Sequence, residues 1–224
     1  MLSILRVVEP LFSASTHCKP DPSESLSNSS HLIIRAAEPK DLASLAEVLT
    51  DSFHSQAGIM RWIYPLLRMG IYEDLRGRLR STSPHYICLV AVKPSRSMTA
   101  TYPGDASDDL AGTIEMGLRS TQPWQIRDSQ YLYLSNLAVR PEYRRQGIAK
   151  QLLIDCERRA LAWGFQDLYL HVLDNNHPAR QLYLNAGYEL QKEEPSWNSW
   201  LLRQPQRLFL HKHLIPSSTS NRSD

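Results

Sequence analysis

A short basic segment around Gly147 has residue types that could bind a phosphate group. Arg144, Arg145 and Lys150 surround this glycine, where a β-compatible run over residues 131–139 gives way to a helical pattern. The first N–H groups of a helix lack intrahelical acceptors and lie at the positive end of its dipole, so they attract anions. Glycine allows close approach, and the cations add charge-assisted bonds. The alternative interpretation is a basic, solvated helix start.

The class of phosphate ligand is narrowed by two motifs that the chain lacks. It contains neither G-x-G-x-x-G nor G-x-x-x-x-G-K-[ST], which disfavours dinucleotides and nucleoside triphosphates as ligands.

A later helix carries a second set of residues, in the pattern Asn176-x-x-Ala179-x-x-x-Tyr183-x-x-x-Gly187-Tyr188, with His177 and Pro178 at its start. Asparagine suits an N-cap and proline the first turn. Taken alone, Tyr183 would be a core tyrosine.

Together the two patterns resemble motifs of the GNAT (Gcn5-related N-acetyltransferase) superfamily. Arg144-x-x-Gly147-x-Ala149 after a strand is similar to the family's acyl-CoA signature, and the pattern around Tyr183 is similar to its downstream helix motif. Two motifs in register are more specific than either alone. The resemblance covers residues 31–214, and the strands within 131–190 look most like the plastid and cyanobacterial branch.

The resemblance implies an α/β fold of the α+β type that binds acetyl-CoA as cosubstrate and needs no metal. Its mixed, mostly antiparallel sheet would have helices on both faces. The strand at 131–139 would carry a bulge and splay from the strand at 167–173, which opens a slot for the pantetheine arm. The cofactor-binding residues so implied are Leu137, Ala138 and Val139 along the arm, Arg145, Gln146, Gly147, Ile148, Ala149 and Lys150 at the pyrophosphate, and Asn176, His177, Pro178 and Tyr183 beside it.

Given the resemblance, Tyr183 is the predicted catalytic residue. Acetyl transfer to an amine needs a neutral nucleophile, a stabilised oxyanion and a proton for the leaving thiolate. A phenol with an ordinary pKa of about 10 stays protonated and can donate to a thiolate whose conjugate acid has a pKa near about 8.5. For the base, Glu115 acting through a water is one candidate, although it could equally face solvent or pair with an arginine; His54 and His171 are alternatives.

The elements that position these residues follow from apolar periodicity. The pattern predicts the order β-α-α-β-β-β-α-β-α-β-β, with a second helix that begins near Leu66 because Pro65 and Gly70 interrupt it. Strand, helix and strand in succession over residues 131–173 indicate a mixed sheet. We expect one domain over residues 31–215, between a flexible N-terminal extension (1–30) and a flexible tail (216–224).

Composition limits the partners. The formal net charge of +2 disfavours nucleic acid, and no apolar run approaches the roughly 20 residues of a membrane span. Three isolated cysteines indicate a reducing compartment rather than a zinc site or disulfides. We expect a cytoplasmic protein, or alternatively one of the plastid stroma, because residues 1–30 are less basic than most transit peptides.

The amine that accepts the acetyl group is the part of the function for which the sequence gives the least direct evidence. The branch resemblance implies protein amines, at lysine side chains, N-termini or both. A small-amine acetyltransferase and a non-catalytic acetyl-CoA sensor are the alternatives. Several arginines make the second helix basic, which would disfavour polyamines and tolerate a peptide. No oligomeric state is predicted.

Overall fold

The computed structural model describes residues 32–53, 60–81, 83–94, 109–120, 130–194 and 205–215. The elements, in chain order, are β1 (Ile33–Ala36), α1 (Leu42–Phe53), α2 (Met60–Arg80), β2 (Tyr86–Lys93), β3 (Asp109–Ser120), β4 (Gln130–Val139), α3 (Ile148–Ala162), β5 (Asp167–Leu173), α4 (His177–Asn185), β6 (Glu189–Glu194) and β7 (Arg207–His213). A short 3₁₀ turn at Pro39–Asp41 precedes α1. A second one, at Pro141–Tyr143, lies between β4 and the turn that leads into α3. The predicted order of strands and helices is confirmed.

The strands form one seven-stranded sheet in the order β1-β2-β3-β4-β5-β7-β6. Its neighbours pair antiparallel except β4 and β5, which run parallel. This parallel ladder is short, because the only registered pairs are Leu132 with Leu168 and Tyr133 with Tyr169. The mostly antiparallel sheet with a splayed central pair is therefore confirmed.

Helices pack on both faces of the sheet, as the fold class requires. One core cluster joins α3 and α4 to the inward side chains of β2–β5 and β7, such as Leu132, Leu152 and Leu170. The other joins α1 and α2 to Cys88, Val90 and neighbouring side chains of β2–β4. Strand alternation explains both, since successive side chains point to opposite faces. Burial raises the pKa of the Cys88 thiol to about 12, in keeping with an inert cysteine.

On the α1–α2 side, the surface of β4, β5 and β7 carries a row of aromatic side chains. We call this surface the open face, because the described core of α1 and α2 reaches no farther than β4. Alternation places its side chains together, and they are half-buried apart from Tyr133, which is buried. The open face comprises Tyr131, Tyr133, Tyr169, His171, Phe209 and His211.

The second helix differs from its prediction. It begins at Met60 and passes through Pro65 and Gly70 without a break, so a start near Leu66 is wrong. A proline removes one backbone bond, and the packing of Ile71 and Leu75 against α1 outweighs that loss. Its basic character is also offset: Arg68 pairs with Glu47, Arg76 with Glu73, and Arg78 with Asp74.

Several predictions fall on residues that the structure does not describe. These are the extension at 1–30, the tail at 216–224, most of the loop at 94–108, and His54. They stay predictions.

Candidate active site

The turn between β4 and α3 has left-handed backbone at two positions. Gly147 is the N-cap of α3 with φ 78°, and Arg145 also lies in the left-handed region at φ 63°. The N–H of Gln151 donates to the Gly147 carbonyl at 3.0 Å, so the N–H groups before it precede the ladder of the helix. A Cβ at Gly147 would meet no atom within 4 Å, so the backbone conformation rather than crowding favours glycine there.

Side chains fix this turn and leave cations exposed on it. Arg144 Nε donates to the Val139 carbonyl at 3.1 Å, and Gln146 Nε2 donates to the Glu142 carbonyl at 3.2 Å. Arg145 and Lys150 are exposed. The structure therefore gathers the predicted pyrophosphate residues at the positive end of a 15-residue helix. A cleft of about 460 Å³ opens beside them, lined on its other side by β1 and β2.

Beyond Tyr133, β4 and β5 separate, and a bulge in β4 lies in this region. The β3–β4 register changes between Thr113, which pairs with Ala138, and Glu115, which pairs with Ser135. One extra residue on β4 results, and Asn136 takes φ 54°. Because the described β4–β5 ladder ends at Tyr133, the later backbone groups of β4 on that side can pair with a ligand. Leu137 and the two residues that follow it lie on this part of β4, and their contact with the cofactor stays a prediction.

Tyr183 lies on α4, below the sheet on the α3 side. Asn176 caps this helix, since its Oδ1 accepts the Ala179 N–H at 3.2 Å, and Pro178 lies in the first turn. The Tyr183 ring is buried and makes an edge contact with Tyr188 at 5.8 Å between centroids. Burial raises the pKa of the Tyr183 phenol, and the charge of Tyr133 raises it further. The phenol thus stays protonated at neutral pH.

A tyrosine–histidine pair lies on the opposite face of the sheet from Tyr183, on strands β4 and β5. Tyr133 Oη and His171 Nδ1 are 2.9 Å apart in a hydrogen bond. Tyr133 belongs to the last described β4–β5 pair, and His171 lies two residues after the partner Tyr169, so the hydrogen-bonded pair borders the gap. Sequence reasoning named His171 only as an alternative base and missed Tyr133. Aromatic residues at every second position of β4 and β5 were the signal.

Glu115 has a different environment from that of a water-linked base. The residue is 1% exposed, and its carboxylate accepts hydrogen bonds from Arg78 at 2.8 Å, Tyr86 at 3.0 Å and Asn136 at 2.7 Å. The arginine pairing considered in the sequence is the arrangement observed. Through Asn136 the carboxylate holds the bulged residue, so its observed contacts are structural.

The histidines of β7 do not form a ligand set with their neighbours. His211 and His213 both lie against Asp167 Oδ1, at 2.7 and 3.0 Å, while Lys212 bonds Glu157 on the other face at 2.7 Å. Within the described ranges, no three His, Cys, Asp or Glu side chains are grouped to hold a metal. No helix in the described part of the chain is long and apolar enough to cross a membrane.

Comparison with known sequences gives one matching family model and several named relatives. Residues 67–188 match the model of the acetyltransferase (GNAT) family. GCN5-related N-acetyltransferase 7, chloroplastic, of Arabidopsis thaliana is 37% identical over 103 residues, which cover 46% of this chain and 35% of that protein. The chain thus spans about a third of that relative. Thialysine N-epsilon-acetyltransferase of Sus scrofa is 36% identical over 129 residues, covering 57% of this chain and 70% of that protein.

Solved structures agree in fold. Arabidopsis thaliana NAA60 in complex with a bisubstrate analogue superposes with a TM-score of 0.59 at 18% identity, covering 83% of this chain and all of that one. PaiA N-acetyltransferase from Thermoplasma acidophilum in complex with coenzyme A gives 0.58 at 23% identity, covering 82% and 99%. At these identities the similarity establishes the fold alone.

Proposed function

We propose that this chain, which belongs to the acetyltransferase (GNAT) family, transfers the acetyl group of acetyl-CoA to protein amines, at lysine side chains, N-termini or both. One observation carries the proposal. The β4–β5 ladder ends at Tyr133, where the hydrogen-bonded Tyr133–His171 pair lies on the open face, and the buried, protonated phenol of Tyr183 lies on the opposite side of the sheet. Direct transfer between two substrates needs one group that accepts a proton and one that donates it, and these side chains offer both.

For the cosubstrate, we assign the pyrophosphate to the turn at residues 145–150 and the pantetheine arm to the β4 backbone at 137–139. The exposed N–H groups and cations of the turn suit a diphosphate. The free edge of β4 suits the amides of the arm, which can pair as a strand does. The pantetheine arm would then pass the start of α4, at Asn176, His177 and Pro178. Solved relatives that contain acetyl-CoA or coenzyme A support this assignment.

The proposed chemistry uses the chain's own groups. His171, oriented by Tyr133, accepts the proton of the attacking amine. A backbone N–H near the bulge at Leu137 stabilises the oxyanion of the tetrahedral intermediate. Tyr183 donates its proton to the departing thiolate, and its raised pKa keeps that proton available across the physiological range.

The open face favours a peptide acceptor. The α3–α4 face of β4 and β5 is filled by a packed core, so the acceptor amine enters from the open face. A half-buried aromatic surface such as Tyr169 stacked on Phe209, with centroids 5.3 Å apart, can pack against an extended chain. Small amines are the second candidate, because relatives are named thialysine N-epsilon-acetyltransferases. The acid and base argue against a non-catalytic sensor.

For location, we propose the cytoplasm, with the plastid stroma as the alternative. Both are reducing, which suits free buried cysteines. Relatives with chloroplastic in their names support the stroma. Fractionation of a tagged full-length chain distinguishes the two.

Competition for acetyl-CoA tests the function. A mixed peptide pool, spermidine and an aminoglycoside are offered at equal concentration, kcat/KM is measured for each, and mass spectrometry locates the acetylated nitrogen. We expect peptides to be preferred, with lysine and N-terminal products. A clear preference for either small amine would contradict protein acetylation but leave acetyl transfer intact.

Two variants test the proposed base. We expect H171Q to lower kcat/KM and to flatten the acidic limb of its pH profile, since a histidine base must be neutral to act. Y133F should lower kcat/KM but keep an acidic limb, because the imidazole is still present. H213Q is the matched control, because His213 lies on the sheet against Asp167 and away from the gap. A normal pH profile in H171Q would exclude the histidine as base.

A further inference from the structure

Two arginines lie near the Tyr133 side chain. Arg119 Cζ is 3.6 Å from the centroid of the Tyr133 ring. Burial raises the pKa of the Tyr133 phenol, while the positive charges of Arg119 and of Arg207 on β7 act in the opposite direction. Both arginines are exposed. Among the described side chains, neither forms a salt bridge with a carboxylate, unlike Arg68, which pairs with Glu47.

Strand register explains why both guanidiniums reach this point. Arg119 is opposite Tyr131 in the β3–β4 ladder, and Arg207 is opposite Leu173 in the β5–β7 ladder. Alternation along each strand directs both side chains to the side of the sheet on which the open face lies. Arg119 therefore approaches from the β3 side and Arg207 from the β7 side, with the Tyr133–His171 pair between them.

This placement bears on the charge of the acceptor. Two guanidiniums repel an approaching ammonium group and attract a carboxylate, with which arginine forms paired, charge-assisted hydrogen bonds. Nearby cations also favour the neutral, nucleophilic form of an amine. An acceptor that carries a carboxylate close to its amine gains from both effects, whereas a polyamine gains only from the second.

We propose, on the basis of the function assigned above, that Arg119 and Arg207 select acceptors with a carboxylate near the reacting amine. In a protein, this group is the side chain of an aspartate or glutamate next to the acetylated residue. The α-carboxylate of a free amino acid offers the same chemistry from a second source.

Matched acceptors measure this selectivity. Two N-terminal peptides differ only in glutamate or glutamine at the second position, and lysine is compared with lysinamide for the second source. A charge-assisted hydrogen bond corresponds to a factor of about 10 or more, so the wild-type kcat/KM ratio should reach that value for at least one pair. R119Q and R207Q, each tested alone, should move that ratio toward one.

Arg158 provides the matched control. It is 71% exposed on α3, away from the open face, and pairs with Asp155 at 2.9 Å, so R158Q should keep the wild-type ratio. Equal turnover within both wild-type pairs would overturn the proposal, as would unchanged ratios in both test variants. The wild-type ratio decides even if a variant does not fold.

Equilibrium binding keeps this test separate from that of the function. The same four compounds are titrated into the protein saturated with coenzyme A, so the affinity ratio does not depend on turnover. Absence of any acetylation would contradict the proposed function, while the affinity ratio would still support or overturn the carboxylate selectivity. A preference confined to free lysine would support the selectivity and identify a small-molecule acceptor.

Discussion

Replacing Glu115 with glutamine should destabilise the fold rather than remove a catalytic base. The buried carboxylate accepts hydrogen bonds from Arg78, Tyr86 and Asn136. Glutamine keeps the shape and one carbonyl oxygen. It loses the charge that faces Arg78, and its own NH₂ group turns toward one of the three donors.

The magnitude follows from what the substitution leaves behind. A hydrogen bond to a charged group contributes about 1.5–3 kcal/mol. Part of this free energy is recovered, because the Arg78 side chain is 39% exposed to water and retains its partner Asp74 at 2.5 Å. The recovered part is small, since surface pairs of that kind contribute little. We therefore expect the free energy of unfolding to fall by about 2 kcal/mol, which corresponds to a decrease in Tm of about 4–8 °C for a domain of this size.

The assay compares E115Q with E73Q in urea unfolding and in steady-state turnover. Glu73 is an exposed residue of α2 paired with Arg76, so its replacement should cost less than about 0.5 kcal/mol. Turnover is measured at a temperature where all proteins are folded, and kcat of E115Q should stay within a few-fold of wild type. Wild-type stability combined with a 100-fold lower kcat would refute the structural role and establish the carboxylate as a base.

Three further outcomes test the site and the fold. Gly147→Glu should abolish acetyl-CoA binding in calorimetry, because it places an anion at the proposed phosphate turn and a side chain at φ 78°. Unchanged affinity would show that the cofactor does not bind at this turn. Tyr183→Phe should keep cofactor affinity but lower kcat on the order of 10²-fold, and a wild-type rate would show that Tyr183 is a core residue without a catalytic role. Burial raises the pKa of Asp41, but hydrogen bonds from Arg35 and the Glu38 N–H outweigh burial and leave it below 3.8. That stabilisation is present above about pH 4 and lost as pH falls through the lowered pKa, so Asp41→Asn should cost about 1–2 kcal/mol at neutral pH and progressively less in acid, as denaturant unfolding would show.

The parts of the fold that local pattern determines could be predicted from the sequence. Period-two runs gave the strands, period-3.6 runs gave the helices, and the family resemblance supplied the splayed pair. Gly147 could be placed because its chemistry is local to one turn. The second helix was misjudged because Pro65 and Gly70 are local signals, whereas the burial of Leu75 against α1 is a tertiary effect.

The contacts between distant segments could not be predicted. Glu115 is 37 residues from Arg78 and 21 from Asn136, and only strand register brings them together. The Tyr133–His171 bond spans 38 residues in the same way. A single sequence shows which face of each strand is polar or aromatic, but the register that sets such partners depends on the whole sheet.

The surface that we propose contacts the acceptor lies apart from the residues that keep the protein folded. Most buried apolar side chains of the described residues belong to the two helix-covered clusters, so side chains such as Tyr131, Tyr169 and Phe209 can change with less loss of packing than core residues. A lineage with this fold could therefore acquire new acceptors by a few substitutions on β4, β5 and β7. The cofactor turn and the bulge would stay intact throughout, so descendants that share one transfer reaction could differ widely in the amines they modify.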